Sequence, residues 1–111
     1  MDYAEYNRRA WDQQVKRGNE WTVPVSEETI AAVRTGDWHV VLTPQEPVPK
    51  SWFPSMAGLT ILGLASGGGQ QAPMFAAAGA HVTVIDNSPL QLEQDQIVAR
   101  REGLSITSIL G

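Results

Sequence analysis

The chain has 111 residues, of which 42% are hydrophobic and 18% charged, and its formal net charge is −4. This length and composition fit one globular domain with a modest core and exclude a wholly disordered chain, while the acidic balance offers no electrostatic attraction for nucleic acid or an anionic membrane. The chain contains no cysteine, no signal peptide and no apolar stretch of membrane-spanning length, so we expect a cytoplasmic protein without disulfides or a metal site.

Residues 1–57 are predicted to form a helical and irregular segment that packs onto the rest of the chain. An amphipathic pattern that stops at Gly18 predicts the first helix, and acidic residues after Ser26 predict the start of the second. Four prolines then exclude regular structure before the second half begins. In chain order we expect a helix at Tyr3–Arg17, a helix from the N-cap Ser26 to Thr35, an extended segment at Trp38–Thr43 and a linker at Pro44–Ser55.

Residues 58–111 show apolar strands that alternate with helices. Such alternation predicts an α/β fold with a parallel sheet, and right-handed crossovers give the strand order 3-2-1. Pro89 suits the first turn of the last helix, which we expect to end at Gly103. The predicted elements are strands at Leu59–Leu64, His81–Ile85 and Ser105–Leu110, and helices at Gln71–Ala80 and from the N-cap Ser88 to Gly103.

The loop between the first predicted strand and helix contains three consecutive glycines, Gly67 to Gly69. Glycine lets the backbone turn tightly and approach a ligand, and the helix that follows directs unpaired N–H groups towards it. Asp86 follows about twenty residues later, at the end of the second strand, where a carboxylate can accept hydrogen bonds from ribose hydroxyls. This arrangement predicts a binding site for a nucleoside cofactor.

The segment from Gly63 to Asn87 resembles motif I and the following acidic position of the class I S-adenosylmethionine-dependent methyltransferases. That motif has an acidic residue followed by three glycines at alternate positions. In this chain the acidic position is Gly63 and the first glycine position is Ala65, whereas Gly67 and Gly69 match. The resemblance implies a partial Rossmann-like fold, with S-adenosylmethionine as the cofactor.

The resemblance also implies roles for individual residues. Asp86 would hold the ribose and Asn87 the adenine edge, while no catalytic residue and no methyl acceptor can be assigned. The methionine part of the cofactor would contact the loop residues Ala65, Ser66, Gly67, Gly68 and Gly69.

The resemblance covers only the first half of such an enzyme, and the acidic residue that contacts adenine in the family would follow Gly111. We therefore expect a truncated chain that is inactive in isolation. Its first strand, Leu59–Leu64, would lie at an open sheet edge, and an open edge favours a homodimer or a swapped assembly. Alternatively, the N-terminal segment covers this edge, with Trp38–Thr43 as the strand that pairs with it.

Two other functions remain possible from the sequence. Residues 67–72 also satisfy the pattern G-x-G-x-x-A of NAD(P)- or FAD-binding Rossmann proteins, in which Asp86 would bind ribose. Alternatively, the chain is a non-catalytic half-domain that self-associates. The tryptophans, all before the glycine loop, are interpreted as anchors of the N-terminal segment rather than as a cover for the ligand.

Overall fold

The computed structural model describes residues 2–40 and 46–111, which form one three-stranded sheet with helices packed against it. None of the helices within these two ranges is long and apolar enough to cross a membrane. Short 3₁₀ turns occur at Glu20–Thr22 and Lys50–Trp52. The helices and strands are α1 (Tyr3–Arg17), α2 (Glu27–Arg34), β1 (Thr60–Leu64), α3 (Gln71–Ala77), β2 (His81–Asp86), α4 (Pro89–Glu102) and β3 (Ile106–Leu110).

The sheet is parallel throughout, with β2 in the centre between β1 and β3, as the sequence predicted. Thr60 pairs with His81, and Val82 with Ile106, which aligns the carboxyl ends of the strands at one edge. Val84 of β2 is fully buried. It belongs to an apolar core that β2 and β3 share with α3 and α4, formed by Ala72, Ala80, Val82, Val84, Leu92, Ala99 and Ile106.

The predicted helix ends are largely confirmed. Ser26 and Ser88 each accept a backbone N–H bond as N-caps, and Gly18 and Gly103 close their helices in the left-handed conformation. The prediction was wrong for α3, which ends at Ala77 instead of Ala80. Gly79 has a φ of 105°, which an α-helix does not contain. The helix therefore ends before Gly79 and does not continue towards β2.

The N-terminal segment packs against two helices of the second half. Helix α1 contacts α4, and α2 contacts α3. A second apolar cluster joins Val33 of α2 and Val40 to Met74 of α3, with Trp38 packed on its side. Trp38 to Val40 form no regular strand, and the rest of the predicted extended segment lies outside the described residues. The predicted linker at Pro44–Ser55 contains a 3₁₀ turn at Lys50–Trp52. The prediction that prolines exclude regular structure there was therefore wrong for these three residues, because the turn begins directly after Pro49 and contains no proline.

Candidate functional site

The candidate site is a cavity of about 460 Å³ beyond the carboxyl ends of β1 and β2. Open α/β sheets bind ligands at this edge, and small-molecule sites have volumes of about 300–1,000 Å³. Five of the residues predicted from the sequence line the cavity: Ala65, Ser66, Gly67, Asp86 and Asn87. The structure therefore brings the loop and the end of β2 together, as expected.

A second cavity, of about 350 Å³, adjoins the first on the side of β3. Both are lined by Trp11, Asp86 and Asn87, and the second extends to Ile85 and Gly111. The two cavities therefore meet at residues that include Asp86.

The carboxylate of Asp86 organises the site, and the residue as a whole is only 6% exposed. Its Oδ2 accepts a hydrogen bond from the Gly67 N–H at 3.0 Å, and its Oδ1 accepts one from the Ser88 N–H at 2.9 Å. Asp86 therefore joins the glycine loop to the start of α4. Since each carboxylate oxygen can accept more than one hydrogen bond, the residue keeps capacity for a ligand hydroxyl.

The other two glycines of the loop lie behind the cavity rather than on its wall. The Gly68 N–H donates to the Gln91 carbonyl at 2.9 Å, and the Gly69 N–H donates to Asp95 Oδ1 at 2.8 Å. Both are buried, with φ angles of 128° and 81°. Their amides are thus bonded to α4, and Gly68 and Gly69, which were predicted to contact the cofactor, do not line the cavity.

Close packing explains why these positions are glycine. A Cβ at Gly68 would lie 2.8 Å from the Trp21 carbonyl oxygen, and one at Gly69 would lie 2.9 Å from the Gln94 carbonyl oxygen. At Gly67 a Cβ would lie 2.9 Å from the Gln91 Cβ. The triplet allows the loop to fit between α4 and the N-terminal segment.

The two departures from the methyltransferase motif have local structural counterparts. Ala65 has a φ of 52°, a left-handed conformation that glycine adopts without strain, and its N–H donates to the Ile85 carbonyl at 2.7 Å. At Gly63, an added Cβ would overlap the Ser66 hydroxyl. Because Ser66 occupies that space, the position cannot carry an acidic side chain without moving Ser66.

Helix α1 closes the site at the start of α4. The Ser88 hydroxyl donates to Asp12 Oδ1 at 2.5 Å, and the Arg8 Nε donates to the Asn87 carbonyl at 2.7 Å. The Asn87 amide donates to the Ala4 carbonyl at 3.2 Å. These bonds hold Trp11 of α1 at the cavity wall, where it is 42% exposed.

The segment that carries Trp21 is held from the opposite side. Gln70 Nε2 donates to the Glu20 carbonyl at 2.6 Å, and Gln94 Nε2 donates to the Thr22 carbonyl at 2.7 Å. Trp21, also 42% exposed, lines the cavity. The interpretation of the tryptophans as anchors therefore does not account for Trp11 and Trp21, which line the cavity. Trp38 does pack against an apolar cluster.

Two buried polar side chains of α4 stand behind the loop. Gln91 is 6% exposed and Asp95 is fully buried. Gln91 Oε1 and Asp95 Oδ2 have no hydrogen-bond partner among the residues that the structure describes. Burial raises the pKa of Asp95 from 3.8 to about 7; the Gly69 N–H opposes this shift and the Asp86 charge adds to it.

Sequence reasoning did not identify Gln70, Gln71, Gln91 or Asp95 as part of the site. Gln70 and Gln71 directly follow the glycine loop at the start of α3, which brings them to the cavity wall. Gln91 and Asp95 look like ordinary polar positions of a helix, and only the packing of α4 on the loop places them here. Within residues 2–40 and 46–111, no group of three or more His, Asp or Glu side chains could hold a metal ion.

Comparison with known proteins relates the chain to one curated protein. It is 53% identical over 106 residues to the "Uncharacterized methyltransferase YbaJ" of Bacillus subtilis (strain 168). The match covers 96% of this chain and 42% of that protein, so the chain spans about two fifths of the length of the relative. No family model matches the chain. The similarity is therefore to a named methyltransferase, across nearly all of the sequence.

Proposed function

We propose that the chain is the cofactor-binding part of an S-adenosylmethionine-dependent methyltransferase. The name of its relative supports the reaction class. The strand, glycine loop, helix and strand that ends in Asp86 support a nucleoside ligand, because they create a cavity at the carboxyl edge of a parallel sheet.

The observation that carries the choice of cofactor is the environment of the glycine amides. The N–H groups of Gly67 and Gly69 are bonded to buried carboxylates, and that of Gly68 to a backbone carbonyl. A diphosphate needs free amides and positive potential at this loop. Here the carboxyl groups of Asp86 and Asp95 accept the loop N–H groups instead and give the loop a negative environment. This environment favours a ligand with positive charge near the loop, such as a sulfonium, over a dinucleotide.

The role of this chain is binding and orientation. When bound, S-adenosylmethionine supplies the methyl group, which passes to a nucleophile as its bond to sulfur breaks. In our proposal Asp86 accepts a ribose hydroxyl, Asn87 borders the adenine and the cavity-lining loop residues Ala65 to Gly67 contact the methionine part. Trp11 and Trp21 exclude water from the cavity. We assign no catalytic residue and no methyl acceptor.

Calorimetry with S-adenosylhomocysteine and with NADH tests this proposal. We expect S-adenosylhomocysteine to bind and NADH not to bind. Asp86→Asn should weaken binding by about 1–3 kcal/mol, because it removes a charged acceptor. Glu93→Gln is the matched control, since Glu93 lies on α4 in an exposed ion pair with Arg100.

Binding of NADH in place of S-adenosylhomocysteine would support the dinucleotide alternative. Absence of binding to either, in a folded protein, would support the non-catalytic alternative. Equal weakening by Asp86→Asn and Glu93→Gln would remove Asp86 from the ligand site.

A further inference from the structure

We propose that Asp95 is a positioning residue of this cavity and that its ionisation is coupled to a positively charged ligand at the glycine loop. The inference rests on the proposed function, because it requires a sulfonium ligand. It adds a residue that does not line the cavity, and it predicts how pH controls the affinity of the site.

The geometry places Asp95 directly behind the loop. Its Oδ1 accepts the Gly69 N–H at 2.8 Å, and the Gly69 carbonyl in turn accepts the Val25 N–H at 2.8 Å. Asp95 thus holds the loop, and through it the segment that carries Trp21. An ionised carboxylate accepts a stronger hydrogen bond than a protonated one, so the charge of Asp95 affects how firmly this arrangement is held.

Among the described residues, no cation compensates the charge of Asp95. In the described part of the chain it forms no ion pair, and its Oδ2 has no partner. The charge that acts on it is that of Asp86, which opposes ionisation as burial does. Acidic and basic side chains also lie on the elements packed against α4 and on α4 itself, and Asp86 is the one among them whose charge shifts the pKa of Asp95. Besides Asp86, these side chains are Glu5, Arg8, Arg9, Asp12, Lys16 and Arg17 on α1, Glu20 in the 3₁₀ turn, His81 on β2, and Glu93, Arg100, Arg101 and Glu102 on α4.

These features leave Asp95 close to half-protonated near neutral pH, since burial raises its pKa to about 7. A cation bound at the loop would favour the ionised form, and the proton on the carboxyl group would pass to the solvent. By linkage, the ionised form must then bind the cation more tightly. The affinity for S-adenosylmethionine should rise with pH through this range. S-adenosylhomocysteine, whose sulfur is neutral, should respond much less.

Calorimetry of both ligands at pH 6 and pH 8 tests the coupling. We expect the affinity for S-adenosylmethionine to rise about threefold to tenfold, and that for S-adenosylhomocysteine less than about twofold. Near pH 7, titration in two buffers of different ionisation enthalpy should reveal proton release when S-adenosylmethionine binds. Asp95→Asn keeps an oxygen that accepts the Gly69 N–H, and should abolish both the pH dependence and the proton release.

Glu93→Gln removes a carboxylate from the exposed surface of the same helix and should leave both effects unchanged. If Asp95→Asn does not fold, proton release by the wild-type protein still decides the question. Binding without proton release, or an unchanged pH dependence in Asp95→Asn, would overturn this inference alone. Failure of both ligands to bind at any pH would overturn the proposed function as well.

Discussion

Ala65 combines an ordinary side chain with a left-handed backbone, with a φ of 52° at an exposed position in the loop. This conformation costs a non-glycine residue about 1–2 kcal/mol, although glycine loses more entropy on folding. We therefore expect Ala65→Gly to leave stability unchanged or raise it by up to about 1 kcal/mol. Ala31→Gly, at an exposed position within α2, should instead lower it by about 1 kcal/mol. Urea unfolding measures both, and equal destabilisation would contradict the assigned strain.

Asp95 should make stability fall as pH rises. The unfolded chain releases this proton near pH 3.8, whereas the folded chain holds it up to about pH 7. Between these values the folded state binds more protons, so the free energy of unfolding decreases with increasing pH. Its contribution is complete below about pH 4 and lost once pH exceeds about 7.

Asp95→Asn removes this titration. We compare the free energy of unfolding of the variant with that of the wild type. As pH rises from 5 to 8, we expect this difference to shift in favour of the variant by on the order of 2–3 kcal/mol. Urea unfolding at both pH values measures the difference, and Glu93→Gln again serves as the control. A stability difference that does not change with pH would show that Asp95 ionises in the folded state as it does in the unfolded chain.

At the scale of elements, α1 is attached to the start of α4 through Asp12. Its carboxylate accepts the Ser88 hydroxyl at 2.5 Å and lies where the helix dipole favours negative charge. Loss of this cap interaction by Asp12→Ala should lower stability by about 1–2 kcal/mol. Gln13→Ala, at an exposed position of α1, should change it by less than about 0.5 kcal/mol. Thermal unfolding distinguishes the two, and similar effects would mean that α1 is held by other contacts.

At the scale of the molecule, the outer edge of β1 has no partner strand within the described residues. Leu62 and Leu64 of this strand are 57% and 68% exposed. We propose that two copies pair through antiparallel β1 strands, because an open apolar edge favours pairing and a two-fold axis closes the assembly. Light scattering of this chain should then give the mass of a dimer.

Leu62→Lys should shift the chain towards the monomer, since it puts a charge into the proposed contact. Ile109→Lys is the matched control, because Ile109 is an exposed apolar residue on β3, at the opposite edge of the sheet. A wild-type monomer at high protein concentration would contradict the dimer, and so would a loss of dimer caused equally by both variants.

The sequence alone determined most of the elements and their order. Caps, turn glycines and apolar runs are local signals, so the sequence alone predicts helix ends at Ser26, Ser88, Gly18 and Gly103. The parallel sheet followed from alternating strands and helices. Five cavity-lining residues could also be predicted, because the loop and Asp86 with the following Asn87 occupy the ends of adjacent strands.

Only the tertiary structure decided what the glycine amides contact and which other residues complete the site. Gly68 and Gly69 look like ligand-binding positions until α4 is packed behind them and takes up their N–H groups. Asp95 lies 26 positions after Gly69 and contacts the loop only because α4 is packed against it. Trp21 lies at the cavity wall because hydrogen bonds from Gln70 and Gln94 hold the residues on either side of it. Such roles depend on contacts between residues distant in sequence, and the free energy of burying a polar group depends on those contacts.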